Sequence, residues 1–421
     1  MLSEIPLRDH ESFAVSKNGM GGSKVVLVTG ASGYVGQHLV DNLAKERPEL
    51  KLVGLFGGLD TFAAEFDSKC ICRQVDLADR AAVTTLLKEV KPDVIVHLAA
   101  ISSPAKCASD PDGSRKVNEC MALIDGLPAG ADFVFLSTDQ VYEGTSPPYT
   151  ETSKASPVNV YGESKLAFEK ALRAKLPSRS VCLRSSLILG PPTPGQCRKQ
   201  SFLQFCDEKL AAGEPTDFFA DEWRSVVAVE DVVAVLRFMI DGGVAESPGV
   251  FNMGGPNRLS RADVAFAVCE RRQHSRDALR AVARSSVVVD GPRSPPDISM
   301  DSSRLTAATG VAFCPLETML DSAFPKKADE TETGLPKWLD ELLKPGVSQG
   351  VFSTLKACLV GLVLTLCVML ALLEDPTLRM HISIFLGMSV ILLLLVIWFV
   401  GELQKAMAEE KAQEALSKKA E

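Results

Sequence analysis

Apolar positions along the chain follow two alternating rhythms. Val25 to Val28 is a continuous apolar run, the pattern of a strand buried on both faces. After Gly30, Gly33 and Gly36, the stretch Gln37 to Arg47 puts Leu39, Val40, Leu43 and Ala44 on one helical face, and Pro48 stops it. Lys51 to Phe56 predicts a second strand, Cys70 to Val75 a third, and Asp79 to Val90 a helix with Ala82, Val83, Leu86, Leu87 and Val90 inward. Val94 to Leu98 and Asp132 to Ser137 give two more strands. A helix from near Glu163 to about Leu176 then leads into a sixth strand, Ser180 to Arg184.

Such alternation requires right-handed crossovers and a parallel sheet, so the expected fold class is α/β, a Rossmann-type doubly wound sheet. From Gly190 to Phe219 prolines, glycines and short helical patterns break the rhythm, as pocket-building insertions do. Beyond them Asp231 to Ile240 reads as a helix, Val250 to Met253 as a short strand, and Ser260 to Arg271 as a helix capped by Ser260. The expected organisation is a mobile tail at 1–23, a nucleotide-binding domain at 24–325 with its smaller substrate region mainly at 190–300, and a linker at 326–350.

Two further runs, Ala357 to Leu373 and Met380 to Val400, are apolar on every side. The second is long enough for a hydrocarbon core of about 30 Å; the first reaches that length if Val351 to Lys356 is included with Lys356 snorkelling. The expectation is two transmembrane helices, 351–373 and 380–400, joined as a hairpin by the short connection around Pro376, with a charged cytosolic tail at 401–421. A hairpin buried in a soluble core is the alternative. Lys337, Lys344 and Lys356 flank one end and Lys405, Lys411, Lys418 and Lys419 the other, against Arg379 alone in the connection, which puts both ends in the cytosol. The last four residues, Lys418 to Glu421, resemble the dilysine retrieval signal of endoplasmic reticulum membrane proteins, or form an ordinary charged tail.

Composition narrows the partners. A formal charge of −8 over 421 residues with few basic runs leaves no electrostatic footprint for nucleic acid. Eleven scattered cysteines, an odd number, read as free thiols in a reducing compartment, and neither they nor the five histidines have zinc spacing, so no metal is expected.

The glycine triplet has the spacing G-x-x-G-x-x-G between a buried strand and an amphipathic helix. There Gly30 would permit a tight turn, Gly33 the approach of backbone to a pyrophosphate, and Gly36 close packing of helix on strand. A purely structural turn also uses glycine. Tyr161 and Lys165 lie one turn apart on one helix face, a spacing that suits acid catalysis by a phenol whose pKa a neighbouring ammonium draws down, and that also occurs on solvated helices. Thr138 sits just past the C-terminal end of a predicted core strand, where open α/β sheets bind ligands.

Taken together, the glycine turn, Thr138, Tyr161 and Lys165 resemble the extended short-chain dehydrogenase/reductase superfamily over about Lys24 to Phe324. The likeness is nearest to dTDP-4-dehydrorhamnose reductases and their relatives, through Leu136 to Gly144, Trp223 to Ser225 with Val229 to Asp231, and Asn252 to Ser260. The resemblance implies that Thr138 orients a substrate carbonyl, Tyr161 handles its proton, and Lys165 holds the nicotinamide ribose and tunes Tyr161. It implies a cofactor site of Gly30, Ser32, Gly33, Tyr34, Val35, Gly36, Asp76, Leu77, Leu98, Ala99, Ala100, Tyr161 and Lys165, with His97 at the cleft and Asn118 supporting a water network; Asp76 as a helix cap, His97 as a satisfied core histidine and Asn118 as a turn former are the alternatives. Thr138, Asp139 and Arg224 would meet substrate.

Gln140 stands where the superfamily's 4,6-dehydratases carry a glutamate base, and an amide cannot take a proton, so elimination is disfavoured. Phe56 to Asp60 offers a late acidic residue and no adjacent arginine, leaving NAD or NADP open. The implied function is an NAD(P)-dependent oxidoreductase acting on a small-molecule carbonyl or alcohol, sugar-nucleotide-like, at an endoplasmic reticulum membrane, with a homodimer left open. A membrane-anchored sterol or lipid dehydrogenase and a non-catalytic subunit like the beta subunit of methionine adenosyltransferase are the alternatives.

Overall fold

The computed structural model describes residues 23–58, 60–287, 294–325 and 349–420; the side chains of Asp60, 349–357 and 399–420 are outside the description. The expected tail before residue 23, the expected linker at 326–350 up to residue 348, the dilysine ending and the flanking lysines used for orientation therefore lie outside the described residues or side chains, and Gln349 and Gly350 of that linker already belong to a helix. The chain divides into two compact units, residues 1–326 and 327–421.

In the first unit, β1 (Val25–Thr29), β2 (Lys51–Phe56), β3 (Ile71–Gln74), β4 (Val94–His97), β5 (Asp132–Thr138) and β6 (Ser180–Ser185) form one sheet in the order β6-β5-β4-β1-β2-β3. The Gly249–Met253 strand extends it beyond β6, and every pairing is parallel. Strand order reverses between β1 and β4, so the connections leave on opposite faces there and open a crevice at the carboxyl ends of the strands.

The period of two along each strand feeds two cores. Val26 and Val28 of β1, with Val94 and Val96 of β4, pack on one face against Leu39, Val40 and Leu43 of α1 (Tyr34–Glu46) and Val232 and Leu236 of the Val229–Phe238 helix. Leu27, Ile95, Phe133 and Phe135 point the other way, onto Val83 and Leu87 of the Arg80–Val90 helix and Phe168 and Leu172 of the Val160–Lys175 helix. Continuous apolar strands between two helical layers are the physical reason that the doubly wound class was legible in the sequence.

Boundaries moved where a cap or a glycine decided them. α1 starts at Tyr34, inside the glycine triplet, and not at Gln37. The helix expected near Glu163 starts at Val160 because the Asn159 side chain accepts from Gly162 N at 2.9 Å, which brings Tyr161 into its first turn. Ser260 caps its helix as expected, reciprocally with Asp263. Between β4 and β5 three short helices appear that apolar periodicity did not predict: Pro104–Ser109, Pro111–Asn118 and Met121–Asp125. The first two begin with a capping Ser103 or Asp110 followed by proline, a signal carried by polar residues.

The second unit holds two mutually packed helices, Gln349–Leu372 and Pro376–Ala420. Among the described residues one stretch, Pro376–Trp398, is long and apolar enough to cross a membrane, in place of the two expected. The apolar part described in the first helix, Cys358–Leu372, spans roughly 22 Å at about 1.5 Å per residue, short of a hydrocarbon core of about 30 Å. Phe385, Met388, Ile391 and Trp398 on the longer stretch are exposed, as side chains facing lipid would be.

At Gly36 a Cβ would stand 2.2 Å from the Gly30 carbonyl oxygen and 2.7 Å from Ala31 Cα, whereas one at Gly57 would meet nothing within 4 Å. Gly36→Ala is therefore expected to lower the unfolding free energy by roughly 2 kcal/mol or more, and Gly57→Ala to change it by less than about 0.5 kcal/mol. Chemical denaturation of the detergent-solubilised chain checks both.

Candidate active site

The crevice is a cleft of about 1420 Å³. Gly30, Ser32, Gly33, Tyr34, Val35 and Gly36 line one end, Asp76, Leu77, Leu98, Ala99 and Ala100 its flank, and Thr138, Asp139, Tyr161, Lys165 and Arg224 the other end. All of the site candidates except His97 and Asn118 thus face one cavity, although the strands and helices that carry them are far apart in the chain.

At the glycine end the three positions differ in what they demand. Gly30 has φ +69°, and a Cβ on it would stand 2.8 Å from Ala99, so this turn packs directly on the segment following β4. Around Gly33 the nearest atom to a Cβ would be the Gly30 carbonyl oxygen at 3.2 Å, and no side chain fills the space. Gly33 is also the N-cap of α1 and supplies no side-chain cap, leaving the helix's first amides to a ligand. A dinucleotide diphosphate fits this cradle in size and charge.

Around the chemical centre, β5 ends at Thr138, whose hydroxyl accepts from Gln140 N at 3.2 Å and lies 3.2 Å from the Asp139 carboxylate. Tyr161 is buried, and burial raises its phenol pKa, opposed by a hydrogen bond with Thr138 and reinforced by the Asp139 charge. This corrects the expectation that the ammonium pulls the phenol down. Lys165 is itself buried and pushed down to about 7 by desolvation, against the pull of Glu169, and its Nζ sits 4.1 Å from the centre of the Phe135 ring. A desolvated amine resting on a ring has little field with which to hold a phenolate.

The helix that carries both residues is held by a buried polar network. Arg184 on β6 meets Glu169 through Nη2 at 2.7 Å and Nε at 3.1 Å, Ser137 donates to the same carboxylate, and Arg184 Nη1 donates to Tyr142 Oη at 3.0 Å. Tyr142 passes the chain on to Asn252 Oδ1 at 2.8 Å. At the other end of the helix, Gln140 Oε1 accepts from the capping Asn159 at 2.9 Å, and a Cβ on Gly162 would stand 2.2 Å from the Gln140 carbonyl oxygen. Gln140 is thereby engaged in placing Tyr161.

Two candidates do other work. His97 is fully buried among Phe133, Phe135 and Phe168, its Nδ1 is 2.7 Å from Thr29 Oγ1, and burial with the Lys165 charge holds it well below the usual histidine range. It is a core residue behind the cleft. Asn118, also fully buried, accepts from Ile101 N at 2.8 Å and donates to Ile101 O and Ser164 Oγ, clamping the loop after β4 to the Tyr161 helix. Asp76 lines the cleft and accepts from Ala78 N at 2.9 Å, so it also orders its own turn.

At the end of the cleft away from the glycine turn Arg224 is buried, with Nη2 3.1 Å from Glu222 and Nε 3.8 Å from Asp139. Arg261 and Arg284 approach the same Glu222 carboxylate at 3.3 and 3.9 Å. Burial raises Asp139, with Arg224 opposing, and lowers Arg224, with Asp139 and Glu222 opposing. Arg198, Lys199 and Arg261 line this cleft too and were missed. Arg261 follows the cap Ser260 in a stretch already singled out, whereas Arg198 and Lys199 lie in the proline-rich insertion, where no local pattern marks them.

The family model for the RmlD substrate binding domain matches residues 24–328. The chain belongs to that family. Methionine adenosyltransferase 2 subunit beta of Rattus norvegicus is 28% identical over 290 residues, 67% of this chain and 82% of that protein. The dTDP-4-dehydrorhamnose reductase of Sinorhizobium fredii is 29% identical over 248 residues, 57% of this chain and 75% of that one. Among solved structures, dTDP-4-dehydrorhamnose reductase from Bacillus anthracis in complex with NADP aligns with TM-score 0.58 at 20% identity, covering 72% of this chain and 99% of that chain. Residues 337–408 match a second model, ER protein Pkr1.

In this RmlD-type domain Lys165 makes a signed prediction. Between about pH 7 and its usual 10.5 the unfolded chain holds a proton that the folded chain has lost, so this group makes stability climb with pH across that window. Lys165→Met should flatten the slope relative to the unaltered chain and raise stability at neutral pH. Melting temperature measured from pH 6.5 to 9.5 on both proteins reads it, and parallel profiles would refute it.

Proposed function

We propose that the protein is an NAD(P)-dependent oxidoreductase that reduces a carbonyl on a sugar-nucleotide-like small molecule at the cytosolic face of the endoplasmic reticulum membrane. The observation that carries this reading is the convergence of Thr138, Tyr161 and Lys165 on the cleft that also contains the uncapped glycine turn. A bound nicotinamide would supply the hydride. Thr138 would hold the substrate oxygen by its hydroxyl, and Tyr161, kept protonated by burial, would give that oxygen its proton. Lys165 would turn from the Phe135 ring toward the ribose hydroxyls.

Lys199, Arg224 and Arg261 give the substrate end polar, cationic anchors suited to a diphosphate or carboxylate. They weigh against a sterol, which would need a long apolar wall. The Pro376–Trp398 helix would anchor the enzyme, and the match of residues 337–408 to ER protein Pkr1 supports that membrane. The similarity to methionine adenosyltransferase 2 subunit beta favours a second reading, a subunit that binds a dinucleotide in this cleft and serves a partner enzyme.

Tyr161→Phe should lower turnover of keto-sugar nucleotides by roughly 10²- to 10⁴-fold while leaving dinucleotide affinity unchanged. Cofactor oxidation and equilibrium binding measured on the same preparation test this. Unchanged turnover would remove Tyr161 from the chemistry, and no turnover by the unaltered chain together with a stoichiometric co-purifying enzyme would favour the subunit.

A further inference from the structure

β2 ends at Phe56 and continues as Gly57 and Gly58, so backbone alone faces the cleft there. In open α/β sheets this strand end meets the ribose of the adenosine half, where a carboxylate takes a 2′-hydroxyl and an arginine accommodates a 2′-phosphate. The chain places an arginine at this point from 140 residues further along. Arg198 Nη2 donates to the Gly58 carbonyl and lies 3.3 Å from where a Gly58 Cβ would be.

That placement is anchored by the elements that flank the adenosine side. Tyr34, in the glycine turn, donates to Pro191 O at 2.8 Å. Gln37 of α1, fully buried, accepts from Gly195 N at 3.0 Å and donates to Gln196 O at 2.6 Å. Glu65, on the helix after β2, accepts from Gln196 N at 2.8 Å. The segment from Pro191 to Arg198 is thus a strap tied from α1 across to the end of β2. Arg198 has no carboxylate partner among the described residues, and one bond to a neutral carbonyl leaves most of its five donors for an anion.

We infer that Arg198 reads the 2′-phosphate of the cofactor, so that the chain selects NADP(H) over NAD(H) through a residue of the insertion and not of β2. This rests on the nicotinamide-cofactor reading above. It also assigns the strap a purpose: selectivity is delivered by an element that the phosphate-binding helix itself holds in place.

The test is calorimetric titration of the detergent-extracted full chain with NADP, NAD, adenosine 2′,5′-bisphosphate and AMP. NADP should bind at least about tenfold tighter than NAD, with the bisphosphate above AMP by a similar factor, as a charge-assisted pair at a partly exposed site allows. Arg198 is exposed, so its replacement leaves folding intact. Arg198→Ala should erase both gaps by weakening the 2′-phosphorylated ligands, and Arg198→Lys should restore part of each. Equal binding of NADP and NAD by the unaltered chain, or a gap that survives Arg198→Ala, overturns the inference while leaving the cofactor reading standing. Failure of all four ligands to bind overturns both.

Discussion

One buried carboxylate governs the geometry of the site. Glu169 lies a single turn beyond Lys165 on the Val160–Lys175 helix, and its contacts with Arg184 and Ser137 fasten that helix to β5 and β6. An ion pair so enclosed adds little net stability compared with apolar packing, but breaking it by removing one partner costs about 3–5 kcal/mol. The pair therefore sets position: the helix cannot slide or roll without stranding a charge. Tyr161 and Lys165 inherit their aim from that constraint, with the Asn159 cap and the close contact of Gly162 on Gln140 fixing the helix's other end.

The same burial sets protonation throughout the cleft. Tyr161 and Asp139 are pushed up, and His97 and Lys165 down, so each is driven toward its uncharged form. Desolvation is the leading cause at every one of them. Arginine resists such neutralisation, and Arg224 pairs with Glu222 through Nη2 at 3.1 Å. The cleft is thus a space whose central ionisable groups are driven toward neutrality, with arginines gathered around Glu222 at its other end.

Much of this was legible in the linear pattern. Apolar strands of four to seven residues separated by amphipathic helices leave few topologies, and the glycine triplet marks which strand begins the nucleotide side. Tyr161, Lys165 and Thr138 stood out by residue type and position, and the fold brings all three to one cleft. Periodicity said nothing, by contrast, of the helices between β4 and β5, whose signals are caps and prolines. In the C-terminal hairpin, one stretch among the described residues, Pro376–Trp398, is long and apolar enough to span, while the described apolar part of the first helix is Cys358–Leu372.

Local sequence by itself determined the sheet, the glycine turn and the helix bearing the phenol and the amine, because strand alternation, positive φ and helical spacing are properties of neighbouring residues. Only the tertiary structure decided what long-range contact and burial control. It sent His97 into the aromatic core, turned Asn118 into a clamp on Ile101, and reversed the expected shift of the Tyr161 phenol. It also carried Arg198 to the end of β2, where neighbouring sequence supplies no arginine. A side chain's charge state and its partners depend on atoms brought together by the fold, and adjacency in the chain does not encode them.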